Sequence, residues 1–151
     1  MNKKLKELLD AKQTKIFSVN ENTTTKEAVD IMVKNHIGSL IVMNDQEEVQ
    51  GIFTEKDVMK KLASTDDLVG NLPVKELMTP REKLIVGHET DTVEYLMQIM
   101  TEKNIRHIPI MSTNGEIIGV LSMRDVIRSL LKDSKKRVKF LNDYISGRYP
   151  A

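Results

Sequence analysis

The sequence predicts an α/β (α+β) fold built from two copies of one β-α-β-β-α unit, and three observations carry that reading. Sliding the 151-residue chain along itself by 68 residues pairs Lys15–Leu62 with Lys83–Leu130 without a gap. About a quarter of the paired positions are identical, among them Thr24/Thr92, Ile31-Met32/Ile99-Met100, Gly51/Gly119 and Asp57-Val58/Asp125-Val126, the mark of a duplicated unit. In both copies strand-like and helix-like stretches follow in the same order. The composition, 40% hydrophobic and 30% charged, suits a chain that buries a core beneath a heavily solvated surface.

Each copy opens with a short apolar stretch, Ile16–Val19 or Leu84–Val86, read as a strand. A helix follows. Thr24 and Glu27 form a capping-box pair ahead of Ala28, Ile31 and Met32 on one face, and Asp91 and Glu94 are expected to cap the second copy ahead of Leu96, Ile99 and Met100. Two strands come next, Ser39–Met43 and Val49–Phe53 in the first copy, Ile108–Met111 and Ile117–Leu121 in the second. Polar links join them, Asn44–Glu48 and Ser112–Glu116, the latter with an Asn114-Gly115 hairpin signal. A second helix starts at Thr54 or Ser122 and carries Val58, Met59 and Leu62, or Val126, Ile127, Leu130 and Leu131. The repeats are placed at 12–63 and 80–132, with a linker at 64–79 and a C-terminal helix and tail at 133–151. The stretch Ala63–Glu82, with Gly70, Pro73 and Pro80, reads as connection around one short helical turn. The basic run Lys132–Arg137 reads as a helix C-terminus complementing the helix dipole, followed by an amphipathic helix through Val138, Phe140, Leu141, Tyr144 and Ile145 that ends at Ser146-Gly147.

Several functional classes are excluded at this level. Lys+Arg (23) and Asp+Glu (22) nearly cancel, so the chain lacks the basic footprint of a nucleic-acid binder. Without Cys there is no disulfide frame, thiolate zinc site or cysteine nucleophile. The three histidines show no metal-ligand spacing, and His36 and His88 read as surface loop residues. No apolar run reaches the roughly 20 residues of a membrane helix, and the N-terminal segment lacks a secretory core; the expected location is the cytoplasm. Neither a Gly-x-Ser-x-Gly elbow nor a dinucleotide glycine fingerprint is present. No catalytic residues and no metal site are expected: the protein reads as a non-enzyme.

The informative element is a strand-to-helix junction found twice, Gly51-Ile52-Phe53-Thr54-Glu55-Lys56-Asp57 and Gly119-Val120-Leu121-Ser122-Met123-Arg124-Asp125. A helix N-terminus presents free N–H groups and partial positive charge to an anion. Thr54 or Ser122 adds a hydroxyl, and Lys56 or Arg124 a cation. Asp57 or Asp125 supplies acceptor oxygens of the kind that hold a ribose diol. Together these describe a nucleoside-phosphate site. The same Thr/Ser-x-x-Asp spacing is also a helix capping box, which needs no ligand.

The duplicated unit and both Gly-h-h-[Thr/Ser]-x-x-Asp junctions resemble paired CBS domains, the cystathionine-β-synthase-type regulatory module. So do Val74-Lys75-Glu76-Leu77-Met78-Thr79-Pro80 and Ile105-Arg106-His107-Ile108-Pro109-Ile110. The resemblance spans residues 12 to 132 and is to stand-alone single-pair proteins. It implies two pseudo-twofold-related repeats forming one CBS pair (a Bateman module), with clefts between the repeats for adenosine-containing ligands: AMP, ADP or ATP, S-adenosylmethionine or NAD. Asp57 and Asp125 would then hold ribose, Thr54 and Ser122 contact phosphate or ribose, and Lys56 and Arg124 neutralise phosphate. Ile37, Gly38, Ser39 and Leu40, Arg106, His107, Ile108 and Pro109, with Ile16 and Leu84, would line the adenine slot. Lys56 stands where arginine is frequent in such modules, which removes a bidentate phosphate grip. The resemblance further implies a homodimer, an energy-sensing role, no required cofactor, and a regulated protein whose identity the sequence does not carry. The competing reading is a structural or interaction module with unoccupied clefts.

Overall fold

The computed structural model describes residues 3–12 and 16–145, without the side chains of residues 137, 138, 140, 141, 144 and 145. The N-terminal helix α1 (Leu5–Lys12) opens the chain, and the molecule divides into two compact units. One is Thr14–Val86. The other joins Met1–Gln13 to Gly87–Ala151, so α1 folds with the second repeat rather than the first.

In the first unit, β1 (Ser18–Asn20) runs parallel to β2 (Ser39–Met43), and β3 (Val49–Thr54) returns antiparallel. Between β1 and β2, α2 (Thr25–Lys34) starts at Thr24, whose hydroxyl accepts the Glu27 N–H at 3.2 Å, as the sequence predicts. The helix α3 (Glu55–Ser64) leaves directly from β3. Ala28, Met32, Leu40, Val42 and Phe53 close the core. The expected linker does more than connect. It winds through two short 3-10 turns, buries Val69, Val74 and Leu77 in this core, and ends as β4 (Thr79–Pro80) on the open edge of β3, with a third 3-10 turn following at Arg81–Lys83. The four strands lie in the order β1-β2-β3-β4. Proline and glycine mark the segment as irregular, but burial of its three apolar residues makes it part of the unit. Buried Thr25 ties it down, donating its hydroxyl to Leu72 O at 2.8 Å.

The second unit repeats the plan with β5 (Gly87–His88), α4 (Val93–Lys103), β6 (His107–Met111), β7 (Ile117–Ser122) and α5 (Met123–Ile145), its strands in the order β5-β6-β7. Both hairpins carry an irregularity at matched places, Val42/Met43 and Ile110/Met111. Backbone geometry repeats as well: Glu47 and Gly115 in the turns, and His36 and Asn104 after the first helix of each repeat, all have positive φ. Met100, Leu96, Ile108, Ile110 and Leu121 form the core, joined by Leu5 and Leu8 of α1.

Four expectations are corrected. The first strand of each repeat lies two to three residues later than its apolar stretch. At β5 the reason is packing, since Gly87 seats the strand against the side-chain tips of Ile110 and Leu5, each 3.0 Å from where a Cβ would stand. The cap of α4 is Thr92, accepting from Tyr95 N–H at 3.2 Å, while Asp91 accepts the His88 N–H instead. His88 is exposed as expected but sits in β5 rather than in a loop. The basic run Lys132–Arg137 is no C-terminus: α5 continues unbroken through it, because nothing between Asp133 and Phe140 is a helix breaker. The side chains of Val138, Phe140, Leu141, Tyr144 and Ile145, and the Ser146-Gly147 end, lie outside the described residues.

Candidate functional site

The two junctions are built alike. At the end of β3, Thr54 lies opposite Ser39 at the start of β2, and the first N–H of α3, that of Glu55, donates to Gly38 O at 3.2 Å. At the end of β7, Ser122 lies opposite His107, and the Met123 N–H donates to Arg106 O at 2.8 Å. Antiparallel pairing therefore brings Gly38-Ser39 beside Thr54 and Arg106-His107 beside Ser122, joining sequence stretches that lie far apart in the chain.

Within each junction the acid caps its own helix. Asp57 Oδ2 accepts the Thr54 N–H at 2.8 Å and the Thr54 hydroxyl at 3.2 Å. Asp125 Oδ2 accepts the Ser122 N–H at 2.8 Å, and the Asp125 N–H donates to Ser122 Oγ at 3.1 Å, a reciprocal capping box. The structural reading of the Thr/Ser-x-x-Asp spacing thus holds in both copies. Lys56 and Arg124 are exposed one residue before each acid.

The carboxylates differ in charge environment. Burial pushes the Asp57 carboxyl above its ordinary value, and the Thr54 hydrogen bonds only partly oppose it. Burial acts the same way on Asp125, but there the Lys12 ammonium and Ser122 outweigh it and hold the carboxyl below its ordinary value. Lys12, the last residue of α1, lies 2.9 Å from Asp125 Oδ2 and donates to Val120 O at 2.8 Å. Reading the sequence did not single out Lys12. The one available signal was register: continued past the start of the alignment, the 68-residue offset places it opposite Pro80, the residue of β4 that pairs with Gly51.

That register also explains the junction glycines. A Cβ on Gly51 would collide with the Thr79 carbonyl, and one on Gly119 would stand 2.7 Å from Leu9 of α1. Each glycine admits the segment covering the edge of its strand, β4 in one unit and α1 in the other. Both therefore have a packing role that requires no ligand.

The remaining nominated residues fall as follows. Leu40 and Ile108 are core residues at 1% and 0% exposure, so what they present to a ligand is main chain. Ile37, Gly38, Ser39 and His107 are half-buried, Pro109 is buried, and Arg106 is exposed. Ile16 precedes β1 and is 43% exposed. Leu84 follows a 3-10 turn in the first unit. Among the described residues, no three His, Cys, Asp or Glu side chains gather where a metal ion would be held. No helix among them is long and apolar enough to cross a membrane.

Comparison with known proteins bears on what such a pair of junctions does. The family model of the CBS domain matches the chain twice, at residues 6–64 and 74–132. An uncharacterized 17.7 kDa protein of Acidianus ambivalens is 40% identical over 119 residues, 78% of this chain and 69% of that protein. Two further curated relatives are matched over 62% and 54% of their own length. A CBS-domain containing protein of Agrobacterium tumefaciens superimposes with a TM-score of 0.78 at 30% identity, covering 85% of this chain and 93% of that one. A CBS domain protein of Pyrobaculum aerophilum, solved as a complex with AMP, matches with a TM-score of 0.67 at 28% identity over 81% of this chain and 88% of that one.

Proposed function

The chain belongs to the CBS domain family, with two CBS domains in tandem, and from that premise we propose that it is a non-enzymatic regulatory module binding an adenine nucleotide at its two strand-to-helix junctions. The observation that carries the reading is the repeated junction. In both copies a half-buried carboxylate at a helix N-terminus stands beside a hydroxyl and one residue from an exposed cation. The carboxylate offers acceptors to a ribose diol, while the helix N-terminus and cation favour a phosphate. AMP bound to the Pyrobaculum protein supports an adenylate as the ligand class, with AMP, ADP or ATP ahead of S-adenosylmethionine or NAD. Asp57 and Asp125 are assigned to ribose, Thr54, Ser122, Lys56 and Arg124 to phosphate. The adenine goes to the main chain around Gly38-Ser39-Leu40 and Arg106-His107-Ile108-Pro109, with Ile16, Ile37 and Leu84.

The rest of the proposal concerns output. Ligand shifts the population of conformations by its differential affinity, and a partner protein reads the shift. Exposed Val33, Met59, Leu62 and Tyr95 supply apolar surface for a homodimer. The repeats are proposed to run 12–63 and 80–132, and the protein to act in the cytoplasm.

Thermal unfolding in the presence of AMP, ADP, ATP, S-adenosylmethionine, NAD and GMP tests this. A ligand at about 100 times its dissociation constant stabilises by roughly 2.7 kcal/mol, a rise of several degrees. The expected result is a rise with an adenylate, none with GMP, and loss of the rise in the Asp57→Ala/Asp125→Ala double variant. Because both carboxylates already cap their helices, the opposite outcome has a structural basis. No shift with any nucleotide would establish an interaction module whose junctions serve the fold alone.

A further inference from the structure

The two junctions share a hydroxyl, a cation and an acid, and they differ in what pairs with the acid. Lys12 places an ammonium on Asp125, and the register-equivalent residue of the first unit, Pro80, carries no charge. The placement is built into the fold. Leu5 and Leu8 anchor α1 in the core, Leu9 seats over Gly119, and the ammonium is held by two acceptors, Asp125 Oδ2 and Val120 O. Both partners are largely withdrawn from solvent, the Lys12 side chain at 26% exposure and that of Asp125 at 12%. The contact is therefore screened less than a surface pair.

The electrostatic consequence differs between neutral and anionic ligands. A bare carboxylate attracts the hydroxyls of a ribose and repels a phosphate attached to it. A carboxylate paired with an ammonium repels far less, and the ammonium has one further hydrogen to offer a phosphate oxygen. Lys56 and Arg124 place an exposed cation at each junction, and the bidentate grip of Arg124 adds to the contrast at the second, so the test varies Lys12 alone. We infer that Lys12 is a specificity-determining residue of the second junction, selecting phosphorylated nucleosides over neutral ones there. The inference rests on the nucleotide reading above and deepens it. The first junction, where Asp57 accepts hydrogen bonds from Thr54 and feels Lys60 and Lys56 through charge alone, discriminates less.

The test compares AMP with adenosine by isothermal titration calorimetry on the full chain. The Lys12 variants and their Lys12 reference all carry Asp57→Asn, which silences the first junction while leaving an oxygen to cap α3, and the wild type is titrated beside them. Lys12→Met is expected to lower the preference for AMP over adenosine by about tenfold, the scale of one partly screened charge contact. Lys12→Gln keeps a donor near Val120 O without the charge; it is expected to do the same and decides the matter if Lys12→Met fails to fold. Lys12→Arg should retain the preference. An unchanged preference in both neutral variants would overturn the inference while leaving the nucleotide reading intact. So would tighter binding of both ligands, which would make Lys12 a competitor for Asp125. Binding of neither ligand by any of the proteins, nor of AMP by the wild type, would overturn the nucleotide reading and this inference with it.

Discussion

Replacing Lys12 with methionine keeps the length and most of the apolar stem of the side chain and deletes its ammonium. The loss is an ion pair at 2.9 Å and a hydrogen bond to Val120 O at 2.8 Å, both partly buried. Exposed pairs contribute about 0.2–1 kcal/mol, whereas hydrogen bonds to charged groups contribute about 1.5–3 kcal/mol; with both side chains less than a third exposed, a loss of about 2 kcal/mol at pH 7 follows. In a domain of this size that lowers Tm by roughly 4–8 °C. The pH dependence separates the ion pair from any change in packing. In the wild type the Asp125 carboxyl lies below its ordinary value, so its contribution is present above the unfolded pKa and fades as pH falls through the folded one. Without Lys12, burial remains the largest influence on Asp125 and pushes the carboxyl upward. The variant then takes up its proton first on acidification and recovers stability relative to the wild type. Urea unfolding of both proteins from pH 7 down to about pH 4, just above the ordinary Asp value of about 3.9, should show the difference narrowing toward acid. A difference constant across that range would refute the electrostatic account and assign the loss to packing of α1.

Leu5→Ala, at a residue with 0% exposure, should destabilise the protein by about 2–4 kcal/mol in denaturant unfolding; a change below 1 kcal/mol would mean that α1 is not part of the core. Glu47 has φ 59° in the turn where the second repeat has Gly115 at φ 80°. Glu47→Gly should accordingly stabilise by up to about 1 kcal/mol, the left-handed strain relieved less the added chain entropy, read as a rise in Tm. Gly51→Ala forces a methyl into the Thr79 carbonyl and should displace β4, costing about 1–3 kcal/mol and raising hydrogen exchange at the Gly51–Ile52 pairing with Thr79–Pro80. In the Asp57→Ala/Asp125→Ala variant, an AMP-dependent rise in Tm as large as that of the wild type would remove both carboxylates from the site.

The repeat, the class of fold, the hairpin strands and the nominated junctions were legible in the chain because each rests on local pattern. Period-2 apolar stretches, helical periodicity after a threonine cap, an Asn-Gly turn and a fourfold motif recurring at one offset need no knowledge of what packs where. Ser39–Met43 matches the expected strand end to end, and Val49–Thr54 differs by one residue. The failures share a cause. Asp91 and Thr92 are both good caps, and backbone geometry settled between them. The linker looked irregular because Pro and Gly interrupt its periodicity, yet Val69, Val74 and Leu77 are core residues.

The sequence by itself determined that one unit is present twice and that hydroxyl, cation and acid recur in register at each strand-to-helix junction. Tertiary structure alone decided that α1 folds with the second repeat, that Gly51 and Gly119 admit β4 and Leu9, and that Lys12 reaches Asp125 across 113 positions of chain numbering to make two like motifs electrically unlike. The physical reason is range. Caps and periodicity act within a few residues, while burial and charge pairing depend on which distant segment covers a sheet edge, and no local pattern in the chain specifies that partner.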